Sequence, residues 1–216
     1  MKQLKIKVPS SLSDIKLSQY QQFLKETEGE EDESIIAFKM VCIFCELPEV
    51  VVENTSKQDY DDIVNQVNAL FDFDKDKLPL INIVKHNGKE YGFIPNMDDI
   101  TVKEQTDADS YLKDWQNMDK LMGVLYRPIT TKRKGKYLIE SYTPNVSIDF
   151  TMDIVFGAYF FLQNLYLDLL SCIPNFIKDQ VKQDPKLQSL VQSGGGIKTF
   201  INSLEEVFLG LKMLRT

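Results

Sequence analysis

Cys42-Ile43-Phe44-Cys45 has the spacing of a redox pair or of half a zinc site. A redox cysteine needs a stabilised thiolate, usually at a helix N-terminus that follows a strand. Here the pair lies inside the apolar run Ile35, Ile36, Phe38, Met40, Val41 and Phe44, so core packing is expected of it. Zinc asks for four ligands. The chain offers only Cys172 and His86 in addition, at no spacing that gathers them, and three cysteines in 216 residues fit reduced thiols rather than a disulfide framework. His86 sits beside a turn with no serine or cysteine nucleophile near it in sequence. Asp72-Phe-Asp74-Lys-Asp76-Lys77 opens like a calcium loop, but Lys77 stands where glycine is needed and Ile83 where a bidentate glutamate is needed. Gly194-Gly195-Gly196-Ile197-Lys198-Thr199 imitates the end of a phosphate loop, yet Ile197 parts glycine from lysine, and the stretch reads as a hinge. No catalytic residue, metal ligand or cofactor is expected.

One segment could hold a polyanion. Lys132, Arg133, Lys134 and Lys136 cluster around Gly135, flanked by Tyr137 and Tyr142, which could stack on bases. The chain as a whole carries a formal net charge of −7, which opposes general binding to nucleic acid or to an anionic membrane surface. Nucleic acid is therefore not the expected partner, and the cluster reads first as a soluble turn. Asp98-Asp99 and Asp107 to Asp109 could meet a metal or a basic partner, but loops before helices collect aspartate for capping and dipole reasons.

The elements that must carry these residues are mostly helices. Hydrophobic residues at 43% and charged residues at 26% suit a folded globular chain, long enough to bury a self-sufficient core. Leu4-Lys-Ile6-Lys-Val8 alternates like a short strand. A helix is expected from about Ser18 to Lys25, followed by an acidic loop over Glu26 to Ser34 and a second helix, capped by Asp32 or Ser34 and closed by Pro48. Tyr60, Ile63, Val64, Val67, Leu70 and Phe71 mark an amphipathic helix that opens within Asn54 to Asp59. The period then changes to two on both sides of Asn87-Gly88, which predicts a β-hairpin over about 80–94 with a type I′ turn.

Tyr111, Trp115, Met118, Met122 and Leu125 lie on one face of a predicted helix ended by Arg127-Pro128. A second, basic hairpin or loop follows at Lys132 to Lys136. A long helix from about Ser147 to Cys172 comes next, then Pro174 and a separate helix over Asn175 to Gln183. Its apolar stretch, Ile154 to Phe176, is interrupted by Gln163, Asn164 and Asp168 and is not expected to cross a membrane. The fold class is mainly α with a small antiparallel hairpin, an α+β chain around a helical bundle. Residues 1–192 are expected to form the globular domain. Residues 193–216 are expected to be a hinged helix whose Phe200, Ile201, Leu204, Val207, Phe208 and Leu211 face a partner. The N-terminus does not read as a secretion signal, which places the protein in the cytoplasm where it is made.

The succession Asn87-Gly-Lys-Glu-Tyr91-Gly-Phe-Ile-Pro95-Asn-Met-Asp-Asp-Ile100-Thr, Tyr111-Leu-Lys-Asp-Trp115-Gln-Asn-Met118, and Leu121-Met-Gly-Val-Leu125-Tyr-Arg-Pro128 resembles a family of proteins encoded by tailed bacteriophages of Bacteroidetes, the crAss-like phages among them. Met152-Asp-Ile-Val-Phe156-Gly-Ala-Tyr-Phe160-Phe-Leu fits the same pattern. Val102-Lys103-Glu104-Gln105 departs from it, standing where the family has a glycine-containing helix start. The resemblance covers about Leu80 to Leu170 and implies a tail assembly chaperone or minor virion protein, active in the host cytoplasm during assembly and retained in the virion if structural. Its implied partners are other phage virion or tail proteins, with self-association left open, and it carries no catalytic residues over. The alternative function is a nucleic-acid-associated accessory protein that uses the basic cluster.

Overall fold

A computed structural model describes residues 6–74 and 78–183, with side chains of the last helix described as far as Asp168. The chain is α+β. Among the described residues the helices are α1 (Leu17–Glu26), α2 (Glu33–Phe44), α3 (Glu49–Glu53), α4 (Lys57–Phe71), α5 (Val102–Tyr111), α6 (Met118–Leu125) and α7 (Met152–Gln183). The strands are β1 (Ile83–His86), β2 (Lys89–Phe93), β3 (Tyr126–Arg133) and β4 (Lys136–Ile139), in one antiparallel sheet of order β1-β2-β3-β4. The expected hairpin is thus half of the sheet. Two compact units divide the chain, Met1–Ala158 and Tyr159–Thr216. The boundary expected at 192/193 and the C-terminal stripe Phe200, Ile201, Leu204, Val207, Phe208 and Leu211 lie outside the described residues, as does Leu4, while Ile6 to Val8 form no strand.

Local chemistry explains most helix starts. Asp32 accepts from the Ser34 amide at 2.8 Å, and Ser56 caps α4 through the Asp59 amide at 3.2 Å. At α5, Thr101 and Glu104 form a reciprocal capping box, with the Thr101 amide donating to Glu104 Oε2 at 2.7 Å. Asp107 and Asp109 therefore lie within a helix and not in the expected loop. The single helix expected from Tyr111 to Leu125 is two pieces. Asp114, in extended backbone, accepts from the Gln116 amide at 2.9 Å and from Asn117 Nδ2 at 2.8 Å, which replaces the helical ladder by a short 3-10 turn at Trp115–Asn117. Tyr111 and Trp115 consequently do not share a helix face. α6 ends at Leu125, and Pro128 sits in a strand opposite Tyr91.

α7 starts at Met152 instead of Ser147 and continues past Pro174, where a break was expected. Proline in a helix removes one hydrogen bond and favours a kink, but it does not oblige the helix to end.

In the first unit, α2 packs on α1 and on α4, and α6 runs directly into β3. Tyr20, Phe71, Trp115 and Phe156 bring their rings together, with Tyr20 and Trp115 edge-to-face at 5.2 Å. Gln21 Nε2 donates to the Trp115 carbonyl at 2.9 Å and Gln116 Nε2 returns a bond to the Gln21 carbonyl at 3.0 Å, so the 3-10 turn is clasped to α1. Phe150, 1% exposed, forms a second aromatic centre with Tyr126, Tyr91 and His86. Its own carbonyl accepts from the Leu17 amide at 2.8 Å, and Asp149 holds Ser18 through backbone and hydroxyl. The approach to α7 therefore fixes the N-terminus of α1.

Candidate functional site

The basic cluster is the turn of the β3–β4 hairpin. Lys134 and Gly135 adopt φ of 48° and 77°, the pair of left-handed conformations that a two-residue type I′ turn requires. Arg133 pairs with Lys136, and Lys132 with Tyr137. Asn87 and Gly88, at φ of 49° and 77°, make the corresponding turn of the first hairpin, where His86 pairs with Lys89 and Lys85 with Glu90. Because all neighbours are antiparallel, both turns lie at the same end of the sheet. Lys85 and Lys89, which sequence reasoning did not connect with the cluster, thereby join Lys132, Arg133, Lys134 and Lys136.

Among the described residues one carboxylate answers these cations closely. Lys132 Nζ lies 2.6 Å from Glu90 Oε2. That hydrogen bond holds the Glu90 carboxyl below its ordinary range, and the nearby charge of Lys85 acts the same way. Arg133, Lys134 and Lys136 are exposed and have no ion-pair partner among the described residues. A recess of about 180 Å³ opens beside them, lined by Ile83, Gly135 and Tyr137 in addition to the basic residues. The two tyrosines expected to stack on bases are committed elsewhere. Tyr137 lays its ring on Gly92, where a Cβ would collide with it, and donates to the Phe93 carbonyl at 2.7 Å. Tyr142 donates to Asp107 Oδ2 at 2.6 Å.

A second polar group is buried between α5 and the start of β3. Glu104, 3% exposed, receives Arg127 Nη1 at 2.7 Å on one oxygen and the Thr101 cap on the other. Burial alone would raise the Glu104 carboxyl, but the Thr101 bonds and the guanidinium outweigh it and hold it below its ordinary range. Arg127 Nε is buried with no hydrogen-bond partner among the described residues. Asp107, one turn on, is held low by Lys103 at 2.7 Å and by the Tyr142 hydroxyl. The Thr101-x-x-Glu104 spacing was the sequence signal for the cap; nothing local announced Arg127 as its partner.

The remaining candidates are placed as packing or turn groups. Cys42 and Cys45 are buried and free, and burial pushes the Cys45 thiol up to about 11, away from the reactive thiolate. The His86 ring packs edge-on against Phe150 at 5.2 Å, and Nε2 meets Asn87 Nδ2 at 2.9 Å. Asp99 accepts from Asn96 Nδ2 at 3.0 Å and Asp72 ends α4. Among the described residues no three His, Cys, Asp or Glu side chains are grouped to hold a metal ion, and no helix is long and apolar enough to cross a membrane. The Gly194 to Thr199 stretch lies outside them. A groove of about 420 Å³ beside α1 and α2 is bridged by Lys39, which reaches Glu49 at 2.6 Å and Glu26 at 3.3 Å.

No protein-family model, no curated protein and no solved structure matches this chain.

Proposed function

We propose that this chain is a non-enzymatic bacteriophage morphogenesis protein that acts through protein–protein contacts, as a tail assembly chaperone or a structural part of the virion. The observation that carries this reading is what the resembling residues do. Gly92 admits the Tyr137 ring, Phe93 and Tyr126 meet edge-to-face at 5.3 Å, and Met118, Leu121, Met122 and Leu125 are fully buried. Of the acids in the same stretch, Glu104 caps α5 and pairs with Arg127, Glu90 pairs with Lys132 and Asp107 pairs with Lys103. The resembling residues thus mainly pack, building a body in which polar groups such as Glu90, Glu104 and Asp107 already have structural partners. Such a body works by the surfaces it presents.

On this reading the partner is another virion or tail protein, met in the host cytoplasm. The sequence stripe Phe200, Ile201, Leu204, Val207, Phe208 and Leu211 supplies an apolar face for it. Deleting residues 197–216 tests the assignment. Loss of co-purifying virion protein, with the thermal midpoint of the remaining chain unchanged, is the expected result. A truncated chain that melts early makes that stretch part of the core and overturns its assignment as the docking element.

A further inference from the structure

We infer that the two-hairpin end of the sheet is a binding site for the phosphate backbone of duplex DNA, read without regard to sequence. This goes beyond the assembly reading and does not depend on it. Lys85, Lys89, Lys132, Arg133, Lys134 and Lys136 collect at one end of a sheet in a chain whose formal net charge is −7, so the rest of the chain is more acidic still. An acidic body repels a polyanion, and this end offers it an approach.

The shape of the hairpin narrows the ligand. Neighbouring strand residues point to opposite faces. Lys132 lies on the face that reaches Glu90, Arg133 and its cross-strand partner Lys136 lie on the other, and Lys134 stands at the tip. A flat anionic surface, a membrane or an acidic protein face, would meet one of these faces at a time. A two-stranded ribbon fits the major groove of B-DNA, roughly 12 Å wide, whose two walls both carry phosphates. Tyr137 lays its ring on Gly92 and donates to the Phe93 carbonyl, and Tyr142 donates to Asp107, so both rings are anchored within the chain rather than free to rearrange around the unpaired bases of a single strand. Phosphate contact without base contact gives affinity and no sequence preference.

The test uses the full chain, a fluorescent random-sequence DNA duplex, and anisotropy titrations over a range of salt concentrations. Binding should weaken steeply with salt, and the triple variant Arg133→Gln, Lys134→Gln, Lys136→Gln should lower the slope of log affinity against log salt by about 0.9 for each phosphate it no longer neutralises. These side chains are exposed, so the variant's melting curve should match that of the parent. Absence of binding at low salt, or undiminished binding by the variant, overturns the inference. So does equal affinity for the corresponding single strand, for polyglutamate or for anionic vesicles, which would make the end a general anion surface or a protein dock.

Discussion

Glu104 and Arg127 show how a single pair can decide the stability of this chain. Both side chains are almost out of water and their closest atoms are 2.7 Å apart. Breaking such a pair by removing one partner leaves the other charge buried, a loss of about 3–5 kcal/mol. Glu104→Ala should therefore lower the unfolding free energy by roughly that amount in urea titrations; a loss under about 1 kcal/mol would place the pair effectively in solvent. The folded carboxyl is held below its unfolded value. Its contribution is thus fully present above the ordinary glutamate range, about 4.3, and disappears as pH falls through the depressed value. Acidification should cost the parent chain the part of its stability that comes from this depressed carboxyl, and the variant none of it.

A thiol reagent at mildly alkaline pH reports on Cys42 and Cys45. Both should react slowly until denaturant is added, because burial raises each thiol; rapid labelling of Cys42 or Cys45 in the native chain would reopen the redox reading. At this scale the sequence was partly legible. Core cysteines and the Asp32 cap could be read from apolar spacing and residue type. The Arg127 partner could not, because the pairing is made by tertiary packing of a strand on a helix.

The elements were legible where a local signal is unambiguous. Asn87-Gly88 between alternating strands announces its own turn. The Asp114 break is written in a side chain that competes with the backbone, a signal easily masked by the apolar spacing of Tyr111, Trp115, Met118 and Met122. Pro128 suggested an end and instead sits in β3, opposite Tyr91.

Gly123 shows the tertiary part that no local reading supplies. A Cβ there would run into the carbonyl of Val146, while the Ile148 amide donates to the Asp119 carbonyl at 3.0 Å, so the strand-like segment before α7 lies directly on α6. Alanine is a better helix former than glycine, yet Gly123→Ala should destabilise by about 1–3 kcal/mol because backbone must move. Thermal unfolding checks the sign, and a stabilised variant would mean that the two segments do not touch. Phe150→Ala removes a ring that meets Tyr126, Tyr91 and His86, and should cost about 3–5 kcal/mol. A loss below about 1 kcal/mol would contradict the packed aromatic centre.

For the molecule as a whole, composition and periodicity were enough for the α+β class, and the four-stranded sheet required the register. Lys85 and Lys89 are far in sequence from Lys132 to Lys136, and only antiparallel pairing brings them to one end. The sheet also lays Tyr137 on Gly92, while Tyr142 is tied to Asp107 of α5, so the cluster gains charge while both tyrosines are anchored within the chain. On the proposed function, a packed acidic body is recruited to other components of a phage particle through its surfaces. Mass spectrometry of gradient-purified particles, together with complexes recovered from infected lysate through the tagged chain, is the decisive check. The proposal predicts stoichiometric presence in the particle, or absence there with a virion protein bound in the lysate; a chain found in neither contradicts it.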